Sequence, residues 1–172
     1  SNYLMSLDKK FENLLLNVSS KAALASYKLV GKKNKKAADK AAVDVMRSEL
    51  NKIDMIGKIV IGEGELDKAP MLYIGEKLGS MSGPELDIAV DPLEGTNFVA
   101  NNLPNSFSMM AATEQNNLFF APDTYMEKIA IGTNLPKNLV DLDNSTEENI
   151  SLLADAKGGK PSDLTVCVLE RS

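Results

Sequence analysis

Apolar positions recur at three-four spacing from Leu7 through Phe11, Leu14, Leu15, Val18, Ala22 and Ala25 to Leu29, and the run stops before Gly31. That period marks one helical face, and a glycine just past it suits the left-handed C′ position, so the pattern predicts a long helix over residues 7–29. Ala42, Val45, Met46, Leu50 and Ile53 mark a second face and predict a helix over Ala38–Lys52. Asp39 then falls in its first turn, where a carboxylate interacts favourably with the helix dipole. Lys58–Ile61 is short and β-branched and reads as a strand. A short helix is expected from Pro70 to a stop near Gly79, and Met81–Pro84 reads as a turn. A second strand leads into Asp91. Ser106–Thr113 reads as a buried strand, Glu114–Asn117 as a polar turn, and Leu118–Ala121 as the hairpin partner. Lys128–Ile131 and Leu164–Leu169 add strands, and Glu147–Ala156 a helix. No internal repeat or low-complexity linker interrupts this order. Thr165–Arg171 has the character of a strand with nothing after it to cover its faces, which predicts more chain or another subunit, and self-association of this chain.

The chemistry concentrates where the second strand ends, in Asp87-Ile-Ala-Val-Asp91-Pro-Leu-Glu94-Gly95-Thr96. Asp91 at a strand end and Glu94 three residues on can put two hard oxygen ligands around a divalent cation, while the Gly95–Thr96 turn offers backbone N–H groups to an anion. A tight turn with solvated acids would look the same in isolation. The design recurs upstream, however, in Lys58-Ile-Val-Ile-Gly62-Glu63-Gly64-Glu65-Leu-Asp67, where a short strand again runs into glycines and three carboxylates. If the two strands are neighbours, their acids share one end of a sheet, and like-charge repulsion there is relieved by a bound metal.

At 172 residues and 44% hydrophobic content the chain can bury one good core with room for a small appendage. A net charge of −5 argues against nucleic acid as the main partner. The basic run Lys32-Lys33-Asn34-Lys35-Lys36 is either a solvated loop after a helix or a phosphate-attracting patch. There are no histidines, which excludes a Ser-His-Asp triad, His-ligated zinc and an imidazole base from this chain. The single Cys167 excludes an intrachain disulfide and reads as a small buried core thiol. No apolar stretch approaches the roughly 20 residues needed to span a bilayer, and no signal-peptide h-region opens the chain, so a cytoplasmic location is expected.

Three segments in order, residues 61–76, Asp87–Thr96 and Ala121–Lys128, together resemble class II fructose-1,6-bisphosphatase, of the metal-dependent, lithium-sensitive sugar and inositol phosphatases. The likeness extends over nearly the whole chain, including Ala22–Tyr27 and Ala37–Val43. It implies an α/β (α+β) fold of the αβαβα sandwich type, of which these 172 residues are the amino-terminal metal- and phosphate-binding part, since family members are about twice as long. It implies that Asp39, Glu63, Asp91 and Glu94 ligate Mn2+ or Mg2+, with Asp91 central and a further acidic ligand supplied by the second half. Glu94, Gly95, Thr96 and Tyr125 would contact the sugar phosphate, with Arg171 a basic substrate contact and Lys35 close to the site. Without the resemblance, Tyr125 is a half-buried aromatic with its hydroxyl in water, and Thr96 a helix N-cap. All-oxygen ligands favour magnesium or manganese over zinc or copper, and two such ions can activate a water and steady the leaving oxygens. Thr96 can orient that water while Glu63 or Asp39 accepts its proton. The implied reaction is removal of the 1-phosphate of fructose 1,6-bisphosphate in gluconeogenesis. Sedoheptulose 1,7-bisphosphate is the alternative substrate, and a non-catalytic metal- or phosphate-binding half-protein the alternative class. A homo-oligomer is expected.

Overall fold

In the computed structural model, residues 9–65, 69, 71–122 and 124–168 are described. The chain divides into two compact units, residues 1–123 and 124–172.

The first unit opens with α1 (Lys9–Tyr27), whose Phe11, Val18 and Ala22 form a buried stripe. The chain turns at Gly31, which takes the left-handed conformation (φ 73°). Helix α2 spans Lys35–Leu50, with Asn34 as N-cap accepting a hydrogen bond from Ala37 N–H at 3.0 Å. It therefore begins three residues before the expected start, and Asp39 lies in its second turn, beyond the strongest reach of the dipole. Ala38, Ala42, Met46 and Leu50 are buried, and α2 packs on α1 and on the sheet.

That sheet has four strands, β1 (Ile56–Ile61), β2 (Lys77–Leu78), β3 (Glu85–Glu94) and β4 (Phe107–Glu114), in the order β2-β1-β3-β4. Strands β1 and β3 are parallel neighbours, as the clustering of their acids requires, and both outer pairs are antiparallel. Leu86, Ile88 and Val90 of β3 join Ile59 of β1 and the two helices in one core. A helix layer on a mixed sheet fits the α/β class expected. Strand β3 continues through Asp91 to Glu94, where a turn is expected directly after Asp91. Its register with β4 slips between Asp91 and Glu94, which accommodates Pro92 and its missing N–H. Strand β4 is half-exposed rather than buried: Met110 and Ala112 pack on the core, while Phe107, Met109 and Ala111 alternate toward solvent.

Two expected elements of this unit are absent. The 70–79 segment is no helix, because its backbone serves β1: Ile59 N–H donates to the Glu76 carbonyl at 2.9 Å and Gly75 N–H to the Ile59 carbonyl at 2.8 Å. Pro70 itself lies outside the described residues. The hairpin partner at Leu118–Ala121 does not form either. The buried Asp87 carboxylate accepts Asn116 N–H at 2.8 Å and Leu118 N–H at 3.5 Å, which turns the chain away from the β4 edge, and Phe119 is 83% exposed.

Among the described residues the second unit holds one α-helix, α4 (Thr146–Ala156), where a helix over Glu147–Ala156 is expected; Ser145 caps it, accepting Glu148 N–H at 3.1 Å. Asn149 exchanges two hydrogen bonds with the Asp141 backbone, at 2.9 and 2.7 Å. Pro161–Asp163 forms a 3-10 turn. The strands expected at Lys128–Ile131 and Leu164–Leu169 are coil over their described residues, exposed except for the half-buried Ile131 and Leu164, so Cys167 is an exposed thiol and not a core one. No helix among the described residues is long and apolar enough to cross a membrane.

Candidate metal centre

Because β1 and β3 run parallel, their carboxyl ends lie at the same edge of the sheet, and each hands an acid to it. From β1 the chain passes through Gly62 to Glu63, whose N–H donates to the Leu72 carbonyl at 2.9 Å. From β3 come Asp91 and, past the register slip, Glu94. Gly95 follows in the left-handed conformation (φ 78°), and a Cβ there would lie 2.8 Å from the Phe98 ring, so glycine alone suits the turn. Gly95 is also the N-cap of the short helix α3 (Thr96–Ala100); Thr96 is thus the first helical residue and not the cap. Ser106 pins the turn from the far side, its hydroxyl donating to the Glu94 carbonyl at 2.8 Å. Its position 12 residues away left no local signal by which to find it.

Helix α2 brings a fourth acid from a third element. Asp39 lines a cleft of about 240 Å3 together with Lys35, Lys36 and Thr96. The loop before α2 is fixed by two backbone bonds to α3, Gly31 N–H to the Val99 carbonyl and Lys33 N–H to the Ala100 carbonyl, both at 2.9 Å. Lys33 also donates to the Asn101 side chain at 2.9 Å. The basic run is solvent-exposed throughout, as a solvated loop would be, yet it is anchored at Lys33 and lines the cleft at Lys35 and Lys36.

The electrostatics of the acids follow from this placement. Glu63 is pushed up to about 7, chiefly by burial, with the charges of Asp39 and Asp91 adding to it. Asp91 is likewise pushed up to about 7 by burial, by its hydrogen bond with Glu94, and by the charges of Glu94 and Asp39. Burial alone raises Asp39. Among the described residues no three acidic side chains have closed to chelating distances, as expected of carboxylates that repel one another. They nonetheless lie within each other's field, and their donor atoms are all oxygen. Such a set fits a hard divalent cation, whose charge would offset the repulsion that holds the protons on.

Two of the expected site residues fall outside the first unit's described residues. Tyr125 is in the second unit, in coil and 68% exposed, and Arg171 lies outside the described residues, as does Asp67.

The family described as bacterial fructose-1,6-bisphosphatase, glpX-encoded, matches residues 9–172. The chain belongs to this family. A D-fructose 1,6-bisphosphatase class 2/sedoheptulose 1,7-bisphosphatase of Prochlorococcus marinus (strain AS9601) is 52% identical over 158 residues, covering 92% of this chain and 47% of that protein. A protein of the same name from Synechococcus sp. (strain RCC307) is 48% identical over 166 residues, covering 96% of this chain and 49% of its own length. The chain spans about half the length of the curated relatives it matches. Within this glpX-type bisphosphatase family, the segments that carry Asp39, Glu63 and Asp91 all fall inside the matched region.

Proposed function

We propose that this chain is the amino-terminal, metal- and phosphate-binding portion of a cytoplasmic bisphosphatase that hydrolyses the 1-phosphate of fructose 1,6-bisphosphate, yielding fructose 6-phosphate and inorganic phosphate in gluconeogenesis. The observation that carries the reading is the convergence of acids from three separate elements, with Asp39 and Asp91 close enough to raise Glu63 and Asp39 close enough to raise Asp91. Asp39, Glu63, Asp91 and Glu94 would hold Mn2+ or Mg2+, which would supply positive charge to the transferring phosphoryl group and activate water. Thr96, beside Asp39 in the cleft, orients the attacking water through its hydroxyl. Glu63 or Asp39 accepts the proton as the new bond to phosphorus forms and the bond to the sugar oxygen breaks. Lys35 sits at the cleft mouth, where its charge favours the phosphate. Glu94, Gly95, Tyr125 and Arg171 complete the sugar-phosphate contacts.

Relatives bearing both names support sedoheptulose 1,7-bisphosphate as a second substrate. A metal- or phosphate-binding module without turnover is the alternative class. The exposed Phe107, Met109 and Ala111 of β4 support association with a further protein layer or a second copy. Phosphate release from fructose 1,6-bisphosphate, with Mn2+ or Mg2+ and with Asp91→Asn as control, is the test. Metal-dependent release lost in Asp91→Asn is expected for the enzyme. Metal binding without release would sink turnover by this chain and leave the module.

A further inference from the structure

Glu76 is only 4% exposed, and its carboxylate has two partners on different elements. It accepts Leu72 N–H, and it accepts Arg47 Nε–H from α2 at 2.6 Å. Leu72 is fully buried and held at φ 54°, a left-handed conformation that is strained for a non-glycine residue and persists only where its surroundings impose it. The carbonyl of this strained residue is the one that receives Glu63 N–H. Arg47 lies two helical turns beyond Asp39 on α2. The ion pair thus joins the helix that carries one acid to the loop that fixes another.

We propose that the Arg47–Glu76 pair is a positioning clasp that sets the separation of Asp39 and Glu63 for the divalent cation. The inference rests on the metal reading given above. Neither residue touches the cation; each acts through an element bearing a ligand. A core position would be served by an apolar side chain of similar volume without burying a charge, so stability alone gives a weak reason for a carboxylate here. Orientation gives a stronger one. Groups that support metal ligands from behind typically change affinity by about 10–100-fold when altered.

The test is Mn2+ titration followed by the EPR signal of the free ion, with the melting temperature of the metal-free protein measured in parallel. The variants are Glu76→Gln, Arg47→Gln, Arg47→Lys and Asp87→Asn. Asp87 is an equally buried carboxylate that holds a different loop, so it controls for general destabilisation. The clasp predicts that Glu76→Gln and Arg47→Gln each weaken Mn2+ binding by about 10–100-fold, that Arg47→Lys recovers much of the loss, and that Asp87→Asn binds within about twofold of the parent despite a lower melting temperature. Arg47 is partly exposed, so its variants report even if Glu76→Gln does not fold. Parent-like Mn2+ binding by the Arg47→Gln variant overturns the clasp and leaves the metal site standing. A parent protein that takes up no Mn2+ overturns both, and the two failures are told apart by that first titration.

Discussion

A methyl group added at Gly62 would lie 2.1 Å from the Leu72 carbonyl oxygen and 2.6 Å from Ile59 Cγ2. Neither neighbour can yield cheaply, since that oxygen accepts Glu63 N–H and Ile59 is fully buried. The backbones must part by about 1 Å, an overpacking strain of about 1–3 kcal/mol, and the weakened hydrogen bond adds about 1 kcal/mol. Gly62→Ala is therefore expected to destabilise the fold by about 2–4 kcal/mol, a drop of about 5–12 °C in melting temperature for a chain of this size. Gly75→Ala is the comparator. Gly75 takes a left-handed φ of 91°, yet nothing lies within 4 Å of its added Cβ, so it should cost only the backbone strain of about 1–2 kcal/mol. Dihedral angles alone would rank Gly75 as the more sensitive, because Gly62 has no left-handed φ. Thermal unfolding by circular dichroism in EDTA separates the two accounts. If Gly75→Ala proves the more damaging, or Gly62→Ala melts within about 2 °C of the parent, the close approach of Leu72 to Gly62 is wrong.

Proton linkage makes a second prediction. Glu63 and Asp91 titrate at about 7 in the folded chain, against ordinary values of 4.5 and 3.8. Their contribution to stability is therefore complete below about pH 4 and lost as pH rises through about 7. Metal-free melting temperatures should fall across that window, and Mn2+ should restore them above it, with binding tightening as the protons leave; a flat metal-free profile would refute the crowding of these acids. Met46 is fully buried, so Met46→Ala should cost about 2–5 kcal/mol by urea unfolding, whereas a value under 1 kcal/mol would remove it from the core. Ser145→Ala should cost α4 about 1 kcal/mol, visible as faster hydrogen exchange at Glu148 and its neighbours; unchanged exchange would refute the cap.

The carboxylate cluster was legible because its signal is local. A β-branched run that ends in glycine and acid, written twice, placed Glu63 and Asp91 before their adjacency was known, and the parallel pairing of β1 with β3 supplied it. Helices α1, α2 and α4 are legible from their apolar patterns, although α1 ends at Tyr27, too early for Gly31 to be its C′ residue. The failures occur where a distant partner decides the outcome. Met71, Leu72 and Ile74 carry a helical spacing, but β1 and the Glu76 carboxylate claim that segment's hydrogen bonds. The Leu118 strand was lost to Asp87, about thirty residues earlier. The apolar run Leu164–Leu169 has strand composition, yet the described residues provide it no neighbour to pair with. For Lys36 the sequence leaves a solvated loop and a phosphate-attracting patch both open. Only the fold of α2 against α3 turns it toward Asp39 and Thr96.

The bonds from Gly31 and Lys33 to α3 also order events in time. Helices α1 and α2 are neighbours in sequence and can pair as soon as both exist, since short loops close quickly. Lys33 reaches its partner Asn101 across 68 residues of chain. The lysine corner is thus left without its anchor until β1, β3 and α3 have been synthesised and docked, and the cleft becomes a binding surface only at the end of that assembly.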